Sequence, residues 1–263
     1  MAAIDELLKV MAQLRDPNGG CPWDLEQDFA SLAPYAIEEA YEVQDAINKG
    51  DMENFKEELG DLLLQVVFQS EMARQLGLFT FDDVAKGIAD KMVSRHPHVF
   101  GDASAETSDA VLSQWDDIKQ AERGLKSLPL KSILDEVPVN FPALMRAQKL
   151  QKKAAKVGFD WPDAQQVFDK IEEEIIELKQ EIKSQSSSNI EEEFGDLLFA
   201  FVNLGRKLGL DCETALIKCN QKFYRRFNGI ENEVKAESKQ MTDLSLDELE
   251  AIWIRQKLKE KVA

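Results

Sequence analysis

Four acidic residues recur in one pattern at two places in this chain. Glu39-x-x-Glu42 is followed by Glu58-x-x-Asp61, and Glu174-x-x-Glu177 by Glu193-x-x-Asp196. Within each pair the acids stand at i and i+3, which puts both on one helix face. The interval from the first acid to the third is 19 residues in both copies. Short polar connectors, Asn48 to Gly50 in the first copy and Gln185 to Ser188 in the second, make each pair of helices antiparallel neighbours. Where the acidic faces turn toward each other, four carboxylates converge. Two unit charges about 4 Å apart repel by roughly 4 kcal/mol at an effective dielectric of about 20, while a whole domain holds only about 5–15 kcal/mol of stability. The acids must therefore splay into water, take up protons or hold a cation. An all-oxygen donor set selects a hard divalent ion, Mg²⁺ first, with Mn²⁺ as a substitute.

A lone ExxE is usually a solvated helix face. Two features argue against that reading here. Both ExxD pairs sit inside apolar segments, Leu59 to Phe68 and Phe194 to Leu204, where an idle acid is costly. The whole spacing also recurs within the chain. Gly60 and Gly195, between the acids, are expected to let the helices approach closely.

A cation held by acids calls for an anion that shares it, and the usual one is a polyphosphate. Lys222 and Arg226 stand at i and i+4, as do Lys91 and Arg95, so either pair can clamp phosphate oxygens. Lys170 precedes Glu174 by four and should lie beside the acids, in the site or in a surface ion pair. Trp253 and Lys257 are another i,i+4 pair. The indole can stack on a base or simply anchor the last helix to its core.

The elements that carry these residues are helices. Apolar residues recur at helical spacing, as in Ile171, Ile175, Leu178 and Ile182, or Phe194, Leu197, Leu198, Phe201 and Leu204. The eight prolines cluster outside these windows. Asp51 can cap a helix entered at Met52, Ser245 with Glu248 makes a capping box before the last helix, and Gly77 and Gly209 stand where long helices should stop. The fold class is all-α.

The chain is also written twice. Glu57-Glu58-Leu-Gly-Asp61-Leu-Leu returns as Glu192-Glu193-Phe-Gly-Asp196-Leu-Leu, and Arg74-Gln-Leu-Gly-Leu as Arg206-Lys-Leu-Gly-Leu. Lys91-x-x-x-Arg95 matches Lys222-x-x-x-Arg226, and Trp115-x-x-x-Lys119 matches Trp253-x-x-x-Lys257. Gly20-x-x-Trp23 matches Gly158-x-x-Trp161. The weakest periodicity falls after Gly124, in a stretch that carries Pro129, Pro138 and Pro142. The expected organisation is an N-terminal module over residues 1–123, a linker over 124–140 and a C-terminal module over 141–263.

Bulk properties narrow the function. With 44% hydrophobic and 31% charged residues the chain is an ordinary globular one. A net charge of −17 argues against a nucleic-acid polymer as partner, because a duplex binder needs a basic surface. The best apolar run, Leu62 to Phe68, is far too short for a membrane span and contains Gln65. The N-terminus lacks the basic flank and apolar stretch of a signal peptide. Cys21, Cys212 and Cys219 form no CxxC, so a reducing cytoplasm and a packing role for all three are expected. His96 and His98, the two histidines, read as structural, and their scarcity excludes a di-iron bundle. No P-loop or dinucleotide fingerprint is present.

The doubled Glu-x-x-Glu, Glu-x-x-Asp pattern resembles the all-α nucleoside triphosphate pyrophosphohydrolase superfamily. Gly20 to Asp24 (Gly-Cys-Pro-Trp-Asp), Arg95 to Phe100 (Arg-His-Pro-His-Val-Phe) and Gly158 to Trp161 (Gly-Phe-Asp-Trp) narrow the resemblance to bacterial MazG proteins, over nearly the whole chain. That resemblance implies Mg²⁺-dependent hydrolysis of nucleoside triphosphates to monophosphate and pyrophosphate, with broad or house-cleaning specificity. It implies that Glu174, Glu177, Glu193 and Asp196 are the catalytic metal ligands, and that activity resides in the C-terminal module. The equivalent acids of the N-terminal module are Glu39, Glu42, Glu58 and Asp61. Lys170, Lys222, Arg225 and Arg226 would hold phosphates, Glu173 or Glu192 would handle the attacking water, and Trp253 and Lys257 would line the nucleotide pocket. Asn189 departs from the pattern, standing where relatives place a basic residue. The resemblance further implies a homodimer that completes four-helix bundles; protein partners are not legible. Two rivals remain: a dUTP or phosphoribosyl-ATP pyrophosphohydrolase of the same superfamily, and a non-catalytic helical adaptor.

Overall fold

The computed structural model describes residues 2–108, 110, 111, 114, 115, 118, 132–185 and 187–262. Among these residues there are eleven α-helices and no strand. The chain divides into two compact units, Met1–Leu128 and Pro129–Ala263. Of the expected linker, residues 124–131 lie outside the described residues, as does Lys119; Ile133–Glu136 forms a 3-10 turn.

The first unit contains α1 (Ala3–Leu14), α2 (Pro22–Glu26), α3 (Phe29–Lys49), α4 (Met52–Gln75), α5 (Phe81–Arg95) and α6 (Pro97–Phe100). α3 begins at Asp28, whose carboxylate accepts from the Ser31 N–H, and α4 begins at Asp51, which accepts from Asn54 N–H. Each such cap holds about 1 kcal/mol. Pro34 lies inside α3, in its second turn. The core joins Met11 of α1, Leu32 of α3, and Val67, Phe68 and Met72 of α4. Such side chains each stabilise by about 1.5–3 kcal/mol when fully buried.

The second unit contains α7 (Ala143–Ala155), α8 (Ala164–Ser184), α9 (Ser187–Lys207), α10 (Cys212–Ala236) and α11 (Leu246–Val262). Asp163 and Asp211 cap α8 and α10 as Asp28 and Asp51 cap α3 and α4. α11 starts with the expected box: Ser245 N–H donates to Glu248 and Glu248 N–H to the Ser245 hydroxyl. One core lies between α8 and α9 (Val167, Ile171, Ala200) and another between α10 and α11 (Ile230, Val234, Ile252). α4 and α9 end as anticipated, with Gly77 and Gly209 at φ +69° and +70°, a backbone that disfavours side chains. No helix of the described residues is long and apolar enough to cross a membrane.

Three expectations need correction. Gly60 and Gly195 do not serve a close helix approach, since a Cβ at either would meet open space. Cys212 does fill space, its Sγ pressing on Gly205 so closely that no Cβ fits there, but Cys219 is exposed. Asp61 and Asp196 are exposed despite their apolar neighbourhoods, because Leu59, Leu63 and Phe194 are themselves exposed on the same helices.

Candidate metal centre

The acid-bearing helices are α3 with α4 and α8 with α9, packed as antiparallel pairs along their lengths. At 1.5 Å per residue, Glu39 sits about 15 Å before the end of α3 and Asp61 about 13 Å into α4, so the two come level. Glu42 and Glu58 come level by the same reckoning, and the second unit repeats it with Glu174 opposite Asp196 and Glu177 opposite Glu193.

In the second unit Glu174, Glu177 and Glu193 each place one carboxylate oxygen so that all three lie within 4.8 Å of one another. Asp196 is outside that trio but is close enough to act on Glu193. The Glu193 carboxyl is raised above its usual range, by burial first and then by the charges of Glu177, Glu174, Asp196 and Glu192. Glu174 is 5% exposed. Lys170 Nζ donates to it at 2.8 Å and to Glu173 at 2.9 Å. Hydrogen bonds to Glu174 and then Glu173 push the lysine pKa up, so the ammonium is fixed. The other Glu174 oxygen, Oε2, is buried and has no hydrogen-bond partner among the described residues. An ionised oxygen without a partner is expensive. A hard cation shared with Glu177 and Glu193 would satisfy it, and the all-oxygen donor set fits Mg²⁺ or Mn²⁺.

The first unit assembles Glu39, Glu58 and Asp61 within the same 4.8 Å, with Glu42 close enough to act on Glu39. Glu39 is raised by burial first, then by Asp61, Glu42 and Glu58. Tyr35 stands four residues before Glu39, where the second unit has Lys170.

Apart from Lys170, the C-terminal candidates for anion binding form a separate group on α10 and α11. Arg226 Nε donates to Glu260 at 2.8 Å, and its guanidinium lies 5.4 Å from the Trp253 ring centre. Arg225 approaches Glu260 at 3.7 Å, and Phe223 packs on Trp253 at 5.4 Å. Trp253 also supports the α10–α11 core, while Lys222 and Lys257 are exposed. No hydrogen bond or ion pair among the described residues joins this group to the four acids. Glu192 is exposed, and Asn189 bonds to Glu181. In the first unit the histidines act as packing: His96 meets Trp115 edge-on at 4.9 Å, and His98 Nδ1 pairs with Gln114.

Sequence reasoning overlooked a clamp at the start of α8. Arg206 and Lys207 both bind Asp160, and Lys207 also donates to the Trp161 carbonyl. Burial alone would raise the Asp160 carboxyl, but these two cations lower it. The repeat pointed to Arg206 and to Trp161 separately without pairing them. Open clefts of about 520 Å³ beside Glu71 and Arg74, and about 370 Å³ beside Trp161, are lined by other residues than the acids.

A family model described as the MazG nucleotide pyrophosphohydrolase domain matches residues 27–100 and again 163–230. The chain is 50% identical over 262 residues to a nucleoside triphosphate pyrophosphohydrolase of Escherichia coli (strain K12), covering 99% of each. It is 43% identical over 253 residues to the nucleoside triphosphate pyrophosphohydrolase/pyrophosphatase MazG of Thermotoga maritima, covering 96% of this chain and 95% of that one. A nucleoside triphosphate pyrophosphohydrolase of Mycobacterium tuberculosis is 37% identical over 156 residues, 59% of this chain and 46% of its own length.

Proposed function

Because the chain belongs to the MazG nucleotide pyrophosphohydrolase family and is a nucleoside triphosphate pyrophosphohydrolase, we propose that it cleaves nucleoside triphosphates to monophosphate and pyrophosphate with Mg²⁺, accepting a broad range of bases. The observation that carries the proposal is the trio Glu174, Glu177 and Glu193, with oxygens within 4.8 Å and one buried oxygen of Glu174 unpartnered.

Glu174, Glu177, Glu193 and Asp196 would hold the divalent ion, which would supply positive charge opposite the phosphates and lower the pKa of a bound water. Lys170, 2.8 Å from Glu174, orients its carboxylate. Glu173 or Glu192 orients the attacking water and accepts its proton, and pyrophosphate leaves. Lys222, Arg225 and Arg226 bind phosphate oxygens, and Arg226 exchanges its Glu260 partner for substrate. Trp253 and Lys257 line the base and ribose pocket. The N-terminal set Glu39, Glu42, Glu58 and Asp61 holds a cation as well.

The two modules correspond to residues 1–123 and 141–263, and the enzyme acts as a homodimer in the cytoplasm. Support for the dimer comes from large apolar side chains left exposed on α8 and α9, among them Ile176, Phe194, Leu198 and Phe201.

A panel of canonical and modified triphosphates, assayed for pyrophosphate and monophosphate, tests this reading. Equal amounts of both products, formed with Mg²⁺ or Mn²⁺ and abolished by chelation, are expected. Orthophosphate as product, or turnover in chelator, would overturn it.

A further inference from the structure

The hairpin of α8 and α9 carries its four acids near the middle. Glu174 stands ten residues from either end of α8, and Asp196 stands ten before Arg206. The acids therefore lie about 15 Å from each end of the hairpin. One end is closed by the connector at Gln185, where Asn189 also donates to Glu181 at 3.1 Å. The other end is not joined by chain. There Asp160, just ahead of α8, takes Arg206 and Lys207 of α9 on its two oxygens, Lys207 at 2.6 Å. Lys207 donates again to the Trp161 carbonyl, and Arg206 to the Asn203 amide oxygen at 3.0 Å. The three charged side chains are only 13–19% exposed.

The first unit closes the same joint by other means. Gln75, which holds the place of Lys207 in the repeat, exchanges two hydrogen bonds with Arg15, at 3.0 and 2.8 Å. The buried Arg15 guanidinium donates on to the carbonyls of Asp24 and Gln27. Pro22 stands where the second unit has Asp160. Two unlike chemistries at one repeat position mark the joint itself as what the hairpin requires.

Like charge drives the middle of the hairpin apart, and Glu177, Glu174 and Asp196 all act on Glu193. The apolar seam of Val167, Ile171 and Ala200 resists separation, but apolar burial is non-directional and leaves α8 room to slide along α9. Charge-assisted hydrogen bonds from two successive residues to one carboxylate are directional. A metal site works only where its ligands are held within about 0.5 Å of the productive geometry.

We propose that Asp160 is a positioning residue, which with Arg206 and Lys207 fixes the register of α8 on α9 and so the spacing of Glu174 and Glu177 from Glu193 and Asp196. It acts on the reaction through the helix, at a distance of about 15 Å. The inference rests on the reading that these four acids hold the cation. Without the clamp the acids remain present but misplaced, so the cost falls on cation use and on kcat. Triphosphate binding at α10 and α11, which have their own core, is spared.

The test compares two variants of the whole chain. Asp160→Asn keeps the shape and removes the charge, while Val234→Ala opens a small cavity in the α10–α11 core. In protein free of metal and nucleotide, hydrogen exchange of the α8 amides should quicken in Asp160→Asn, with α10 and α11 at the parental rate. Val234→Ala should do the reverse. In turnover, Asp160→Asn should raise the half-saturating Mg²⁺ concentration and lower kcat about tenfold, short of the hundredfold that a 1 Å misplacement can cost. Its KM for the triphosphate at saturating Mg²⁺ should not change, and Val234→Ala should keep the parental Mg²⁺ dependence. Lys207→Gln, which installs the amide found at Gln75, reads the same quantities if Asp160→Asn does not fold. Parental α8 exchange or parental Mg²⁺ dependence in the clamp variant overturns the positioning role, as does an equal Mg²⁺ shift in Val234→Ala. If instead turnover of the parent survives chelation, it is the reading of the acids as cation ligands that fails, and the inference falls with it.

Discussion

Around Glu174 a lysine nitrogen stands 2.8 Å away, while the groups that perturb Glu39 are three more acids. The helices that carry the two residues are otherwise built alike, with the same intervals between acids and aspartate caps on α3 and α8. The contrast teaches that a duplicated frame fixes where charge is placed but leaves open how it is compensated. One copy compensates with a side chain and so keeps an ordered, half-neutralised set awaiting substrate. The other has no such cation among the described residues and depends more on protons or metal. The surroundings diverge in the same sense. The second unit brings together Arg225, Arg226 and Trp253 on α10 and α11, whereas the first sets His96 against Trp115.

The hardest blow to this contrast is a matched pair of isosteric substitutions. Glu193→Gln should lower kcat by about 10²–10³-fold, the size of losing one transition-state charge contact, with the fold intact by circular dichroism. Glu58→Gln, at the equivalent place, should leave kcat within about twofold, as expected for independent sites. Steady-state pyrophosphate release measures both, and equal losses would dissolve the division between modules.

Exchanging the compensating residues sharpens the comparison. Lys170→Met strands a buried carboxylate and should destabilise the second unit by about 1–3 kcal/mol, the lower end of a buried pair because the lysine is partly exposed. Tyr35→Lys should do the opposite for the first unit, lowering the Glu39 pKa and weakening nucleotide-free Mn²⁺ binding. Thermal melts and a titration of the nucleotide-free chain with Mn²⁺ read the two effects.

A smaller effect concerns pH. Glu39 and Glu193 have raised carboxyl pKa values, so the folded chain binds protons there more readily than the unfolded one. In metal-free protein these groups oppose folding when ionised and cease to do so as pH falls through their raised values. Asp160 has the opposite sign: its lowered pKa gives stability above the ordinary aspartate range that is lost as pH falls through the lowered value. The rise in melting temperature on adding Mg²⁺ should accordingly shrink between neutral pH and about pH 5, as protons displace the cation. A rise that grows on acidification would contradict the electrostatics assigned to both sites.

Much of this was legible in the sequence because it is local. Helix ends at Asp51, Ser245, Gly77 and Gly209 depend on residues within a few positions, and so does the pairing of Lys170 with Glu174. The meeting of α3 with α4, and of α8 with α9, followed from short connectors. What escaped was the choice among distant partners. Nothing near Asp160 announces Arg206 and Lys207, and nothing near Arg226 announces Glu260. Asp61 and Asp196 lie in apolar sequence yet face solvent, because Leu59, Leu63 and Phe194 beside them are exposed as well.

The most direct measurement is calorimetry of a non-hydrolysable triphosphate analogue binding the full chain, with Mg²⁺ and with chelator. Shared coordination between the acids and the phosphates predicts affinity at least about tenfold higher with Mg²⁺, a difference of about 1.4 kcal/mol, and loss of that gain in Glu193→Gln. Equal affinity in both conditions would mean that the acids and the nucleotide do not meet through a cation, and the account would fall.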